Sequence, residues 1–157
     1  MNRLSFGDAA YTIRTSPQIG PYYNPKTNRY ENRTFMSFDG NKKKTQIFGE
    51  GKTEVYEKDY TWTGVGGKYF EILAVPVEPS TMLDVVYSTE IEVNNYANAQ
   101  VMLTRKAIME SSTKDSYYFY VGPRTEKDLK IYNNSQDNSW GLSNMKLNES
   151  LQSTGIL

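Results

Sequence analysis

From Leu83 to Val93 the chain alternates. Leu83, Val85, Tyr87, Ile91 and Val93 share one parity, and Asp84, Ser88, Glu90 and Glu92 share the other, with Val86 the apolar exception. A period of two puts the two sets on opposite faces of an extended chain, so this segment can bury its apolar side only as a strand. The same pattern, with β-branched and aromatic residues, predicts strands at Tyr11–Thr15, Thr34–Phe38, Lys44–Phe48, Lys68–Val77, Gln100–Met109 and Tyr117–Val121. Thirteen tyrosines, six phenylalanines and two tryptophans fit such half-buried pleated surfaces.

Turn chemistry separates these runs. Asp39-Gly40 predicts a hairpin around residues 39–43. Ser16-Pro17-Gln18-Ile19-Gly20-Pro21 interrupts any regular element, and residues 22–32 are polar and turn-rich. Lys68–Val77 (KYFEILAVPV) is almost wholly apolar, with Glu71 the lone charge after Lys68, so a central strand covered on both faces is expected, with Phe70 in the core. Pro76 belongs at its end or on an edge. Gly64-Val65-Gly66-Gly67 is expected to form the turn leading into it.

After Gly122-Pro123 the pattern changes. Thr125 can cap a helix whose first turn holds Glu126 and Asp128 and whose apolar face holds Leu129 and Tyr132. Residues 133–139 read as a polar loop, and Leu147 and Leu151 give a second, weaker helical spacing between Met145 and Leu157. About seven to nine strands and one or two short C-terminal α-helices follow, an all-β sandwich with no internal repeat.

Composition narrows the function. There is no His and no Cys, which excludes His-dependent triads, thiol catalysis and zinc–thiolate sites. Eighteen basic and eighteen acidic residues balance, which argues against nucleic-acid binding. No stretch reaches the ~20 apolar residues of a membrane span, and Met1-Asn2-Arg3-Leu4 lacks the apolar core of a signal peptide. Lys42-Lys43-Lys44 reads as a solvated turn before an anionic-lipid contact. Gly64–Gly67 lacks the Lys-Ser/Thr of a phosphate-cradling loop. The glycan-acceptor triplets at Asn32, Asn133 and Asn148 arise readily in an Asn-rich chain. Glu54, Glu57 and Asp59, or Asp8 with Asp39, could be imagined as paired carboxylates, but solvated surface charge is the plain reading. Tyr22, Tyr23, Tyr30, Tyr60 and Trp62 could stack on sugars, but cross-strand packing explains them better. No catalytic, cofactor-binding or metal-binding residue is assigned.

Three colinear segments carry the sequence further. Tyr60-Thr61-Trp62-Thr63-Gly64-Val65-Gly66-Gly67-Lys68-Tyr69-Phe70 with Ala74-Val75-Pro76, then Tyr118-Phe119-Tyr120-Val121-Gly122-Pro123-Arg124, then Leu129-Lys130-Ile131-Tyr132 through Gly155-Ile156-Leu157 resemble the second half of the large periplasmic domain of YidC-type membrane protein insertases. Ser16–Pro21 is similar to the "PQIGP" of some members. The resemblance implies a galactose-mutarotase-like β-supersandwich, with the sandwich over about residues 5–123 and a helical C-terminal segment over about 124–157. Residues 1–157 would form one domain, the C-terminal half of a larger periplasmic one, beginning at an artificial Met. The family's anchor and five-helix membrane core have no counterpart here. The role implied is a non-catalytic interaction or scaffold domain at the periplasmic face of the bacterial inner membrane. Its implied partners are the Sec translocon's accessory subunits SecD and SecF and nascent membrane proteins, and it takes no cofactor. The alternative is a carbohydrate-binding module or sugar-acting enzyme on a β-sandwich. An exposed aromatic row beside clefted carboxylates would mark that alternative, and a closed aromatic core with helices packed across the sandwich would mark the first.

Overall fold

The structure, a computed structural model, describes residues 8–15, 34–47, 52–91 and 97–151. The turn-rich stretch 16–33, with Tyr22, Tyr23, Tyr30 and the Asn32 of the first glycan-acceptor triplet, and residues 152–157 lie outside them. Among the described residues nine strands form two antiparallel sheets. One sheet holds β1 (Ala9–Arg14), β8 (Ala97–Lys106), β7 (Met82–Ile91) and β4 (Lys52–Tyr56), in that spatial order. The other holds β3 (Lys43–Ile47), β2 (Thr34–Phe38), β5 (Trp62–Gly66), β6 (Phe70–Pro76) and β9 (Tyr117–Pro123). A four-residue helix α1 (Glu126–Leu129) and 3-10 turns at Lys130–Asn133 and Leu147–Ser150 complete the described chain after β9.

The sheets pack face to face. Phe35, Val65 and Ala74 of the five-stranded sheet share one apolar cluster with Val85, Tyr87, Val101 and Leu103 of the four-stranded sheet. Phe35 stacks on Tyr87 with ring centroids 4.7 Å apart. The five-stranded sheet is buried on its other face too. There Met36, Phe38, Trp62, Leu73, Val75 and Tyr120 meet Leu129 and Leu147 of the C-terminal segment. This double cover explains why β2 and β5 are buried at every residue, whereas a two-layer sandwich would expose alternate ones. The fold is therefore an all-β sandwich with a third, irregular layer over one sheet.

Polar clusters join the sheets along both seams. Tyr56 of β4 donates to Gln46 of β3 (3.1 Å), and Gln46 donates to Glu54 (3.3 Å). At the other seam the phenols of Tyr11 (β1) and Tyr117 (β9) lie 2.7 Å apart, Tyr11 donates to Asp115, and Arg105 grips both Asp115 oxygens.

The expected hairpin is present. β2 pairs β3 around Asp39, whose carboxylate accepts from the amides of Asn41 (2.8 Å) and Lys42 (2.6 Å), with Gly40 at φ +94°. Several expectations need correction. The Gly64–Gly67 run is not a turn: Trp62–Gly66 is β5, the middle strand of its sheet. A Cβ on Gly64 would sit 2.1 Å from the Ile72 carbonyl oxygen, so glycine is what lets β6 approach. β6 is buried on both faces only along Leu73–Pro76. Its first residue, Phe70, is 58% exposed, so it does not take the core position expected of it. β4 was not expected. Leu83 is only half-buried and Met82 is buried instead, because a register shift between Met82 and Asp84 changes the parity at the start of β7, while Val85 and Tyr87 face the core as expected. Between Met145 and Leu151 there is only the 3-10 turn, not an α-helix.

Candidate functional site: the joint between the sheet and the C-terminal segment

The residues singled out as possible chemistry are dispersed. Lys42, Lys43 and Lys44 are exposed. Glu54 is held by Gln46 and Tyr56, Asp39 by its turn amides and by Lys58 at 2.5 Å, while Asp8, Glu57 and Asp59 are exposed. Tyr60 and Trp62 are buried in different clusters on the two sides of the five-stranded sheet, so they form no sugar-stacking platform. Among the described residues no group of three or more His, Cys, Asp or Glu side chains could hold a metal.

The most concentrated buried polar chemistry lies where the C-terminal segment meets the sheet. Trp62 donates its indole N–H to the Met145 carbonyl (2.9 Å). Trp140 stacks on Tyr118 at 5.1 Å and tilts against Tyr132 at 4.3 Å, and Tyr132 meets Tyr120 edge-on. Asn138 bridges the segment internally through the carbonyls of Asn134 (2.8 Å) and Leu142 (2.9 Å). Thr125 caps α1 by accepting from the Asp128 amide.

Beneath this apolar lid Arg124 and Glu71 are buried side by side. Arg124, the residue after β9, donates to the Ser150 carbonyl (2.8 Å), the Gly67 carbonyl (2.8 Å) and the Thr34 hydroxyl (3.2 Å). Its Nε is 3.6 Å from Glu71 Oε2, a long contact for a salt bridge. Glu71 Oε1 lies 2.8 Å from the Ser150 hydroxyl. Space for the guanidinium comes partly from Gly66, whose Cβ would stand 3.4 Å from Arg124 Nη1. Burial pushes the Glu71 carboxyl up to about 7, opposed by the Ser150 hydrogen bond and the Arg124 charge, and burial lowers Arg124. Glu71 was visible in the sequence as the one charge in an apolar run. Such a charge requires a buried partner, but nothing local named Arg124.

No family model matches the chain. Two curated relatives match it along its length. The membrane protein insertase YidC of Treponema denticola is 35% identical over 158 residues, which is 100% of this chain and 27% of that protein. The YidC of Treponema pallidum is 34% identical over 157 residues, 99% of this chain and 25% of that protein. The chain belongs to the YidC membrane protein insertase family. It spans about a quarter of the length of the curated YidC proteins it matches. No solved structure matches. Among the described residues no helix is long and apolar enough to cross a membrane.

Proposed function

We propose that this region is a non-catalytic interaction and scaffold domain of a membrane protein insertase, at the periplasmic face of the bacterial inner membrane. In this reading residues 1–157 are the C-terminal half of a larger periplasmic domain, with the sandwich and the segment after Pro123 acting as one unit. SecD, SecF and emerging membrane proteins are its partners. The observation that carries the reading is the match to YidC across the chain, joined to a C-terminal segment whose Leu129 and Leu147 are sealed against the sheet. A free-standing module has no need to bury such a segment, whereas a domain that positions neighbouring parts of a long protein does. The sugar-binding alternative gains nothing from Tyr60 and Trp62, which are buried.

The experiment uses the full-length insertase. Leu129→Asp with Leu147→Asp, which breaks the docking, should slow insertion of a membrane protein more than alanine at Lys42, Lys43 and Lys44, at equal protein levels. Equal insertion by the two variants would overturn the scaffold role of the docked segment.

A further inference from the structure

Ser150 has one hydroxyl proton and two acceptors. Its Oγ lies 2.6 Å from the Leu147 carbonyl and 2.8 Å from Glu71 Oε1, and all three groups are buried. If Glu71 is ionised, the hydroxyl can serve one acceptor and leaves the other unpaired. If Glu71 is protonated, its own O–H donates to Ser150 Oγ, and Ser150 donates to Leu147, so both contacts are made. The surroundings allow this state. Arg124 already has three neutral acceptors, in Ser150, Gly67 and Thr34, and its contact with Glu71 is the longest it makes.

We propose that Glu71 and Ser150 form a proton-linked latch: a protonated Glu71 holds the Leu147–Ser150 turn against the sheet, and loss of that proton loosens it. The groups facing Glu71 come from every element packed on it. They are Arg124 after β9, Ser150 of the turn, Gly66 of β5, and the Tyr120 phenol of β9, which is committed to the Pro123 carbonyl. Burial is what raises Glu71; a hydrogen bond donated by Ser150 and the charge of Arg124, the one charge among the causes, oppose protonation without overcoming it. The carboxyl rises from its ordinary 4.5 to about 7. A raised value means docking is strongest below the released value and weakens as pH rises through the docked one. The latch is a property of this chain and does not depend on the insertase reading.

Two measurements on the 157-residue chain decide it. In a carbon-13 carboxyl titration of the unmodified chain, Glu71 should show a midpoint at or above about pH 6, and a lower midpoint would overturn the latch. Hydrogen-exchange protection of the Glu149 and Leu151 amides, which bond within the turn, should fall roughly thirtyfold between about pH 5.5 and about pH 8.5. In Glu71→Gln, whose amide donates as the protonated acid would, protection should stay level. A level profile in the unmodified chain, or an equal fall in Glu71→Gln, would also overturn it. If Glu71→Gln does not fold, the titration alone decides.

Discussion

Comparing Leu147→Ala with Phe70→Ala tests which surface is core. Leu147 sits in a four-residue turn of the C-terminal segment yet is 0% exposed, within the cluster of Met36, Trp62 and Leu73. Truncating a fully buried leucine costs about 2–5 kcal/mol, from lost transfer energy and the cavity left behind. The turn lies on the outer layer, where neighbours can relax, which favours the lower half, about 2–3 kcal/mol. Phe70 lies in the most apolar run of the sequence but is 58% exposed, so about two-fifths of its surface leaves water on folding. Full burial of a phenylalanine is worth ~1.5–3 kcal/mol, so Phe70→Ala should cost about 1 kcal/mol. Urea denaturation followed by far-ultraviolet circular dichroism separates the two. At a slope of about 2 kcal/mol per molar, Leu147→Ala should move the midpoint down by roughly 1–1.5 M and Phe70→Ala by roughly 0.5 M. A Phe70→Ala loss equal to or above that of Leu147→Ala would refute the argument that the C-terminal segment, and not the exposed end of β6, closes this sheet.

Two further predictions rest on local geometry. Gly64→Ala should cost more than about 3 kcal/mol or abolish soluble expression, since its Cβ would meet backbone at Ile72 and Leu73 that cannot move without parting β5 from β6; a thermal melt within a few degrees of the parent would sink this. Asp39→Ala should cost about 1 kcal/mol at neutral pH. The amide of Lys42 first, then Lys58 and the amide of Asn41, hold the Asp39 carboxyl well below the usual carboxylate range. Its contribution is therefore present above the ordinary Asp value and lost as pH falls through the depressed one. Melts of parent and variant should converge in strong acid, and a constant gap would contradict the assignment.

Where a signal was local, the sequence carried it. Asp39-Gly40 specifies the β2–β3 hairpin through side-chain and backbone chemistry within four residues. Gly122-Pro123 followed by Thr125 marks the change from β9 to α1 because a cap is likewise a local device. β5 was hidden because its glycines erase the alternation by which strands are recognised. The reason for Gly64 lies in the neighbouring strand, which no single-segment pattern records. The exposure of Phe70 failed for the same reason. Apolar character says that a residue can be buried, but what the rest of the fold places over it decides whether it is.

The joint shows what an apolar pattern omits. Leu129 and Leu147 would seek cover on any greasy surface, so they fix proximity but not register. Register comes from Arg124, whose Nε and Nη1 find their acceptors only if the end of β9, Thr34 of β2, Gly67 after β5 and Ser150 are all in place together. A buried charge with misplaced acceptors is costly, so misdocked arrangements are disfavoured far more than a slip between apolar faces would be. Glu71 completes the set on the neighbouring strand β6. The polar groups beneath the lid thus select one seating of the C-terminal segment out of the many its leucines alone would accept.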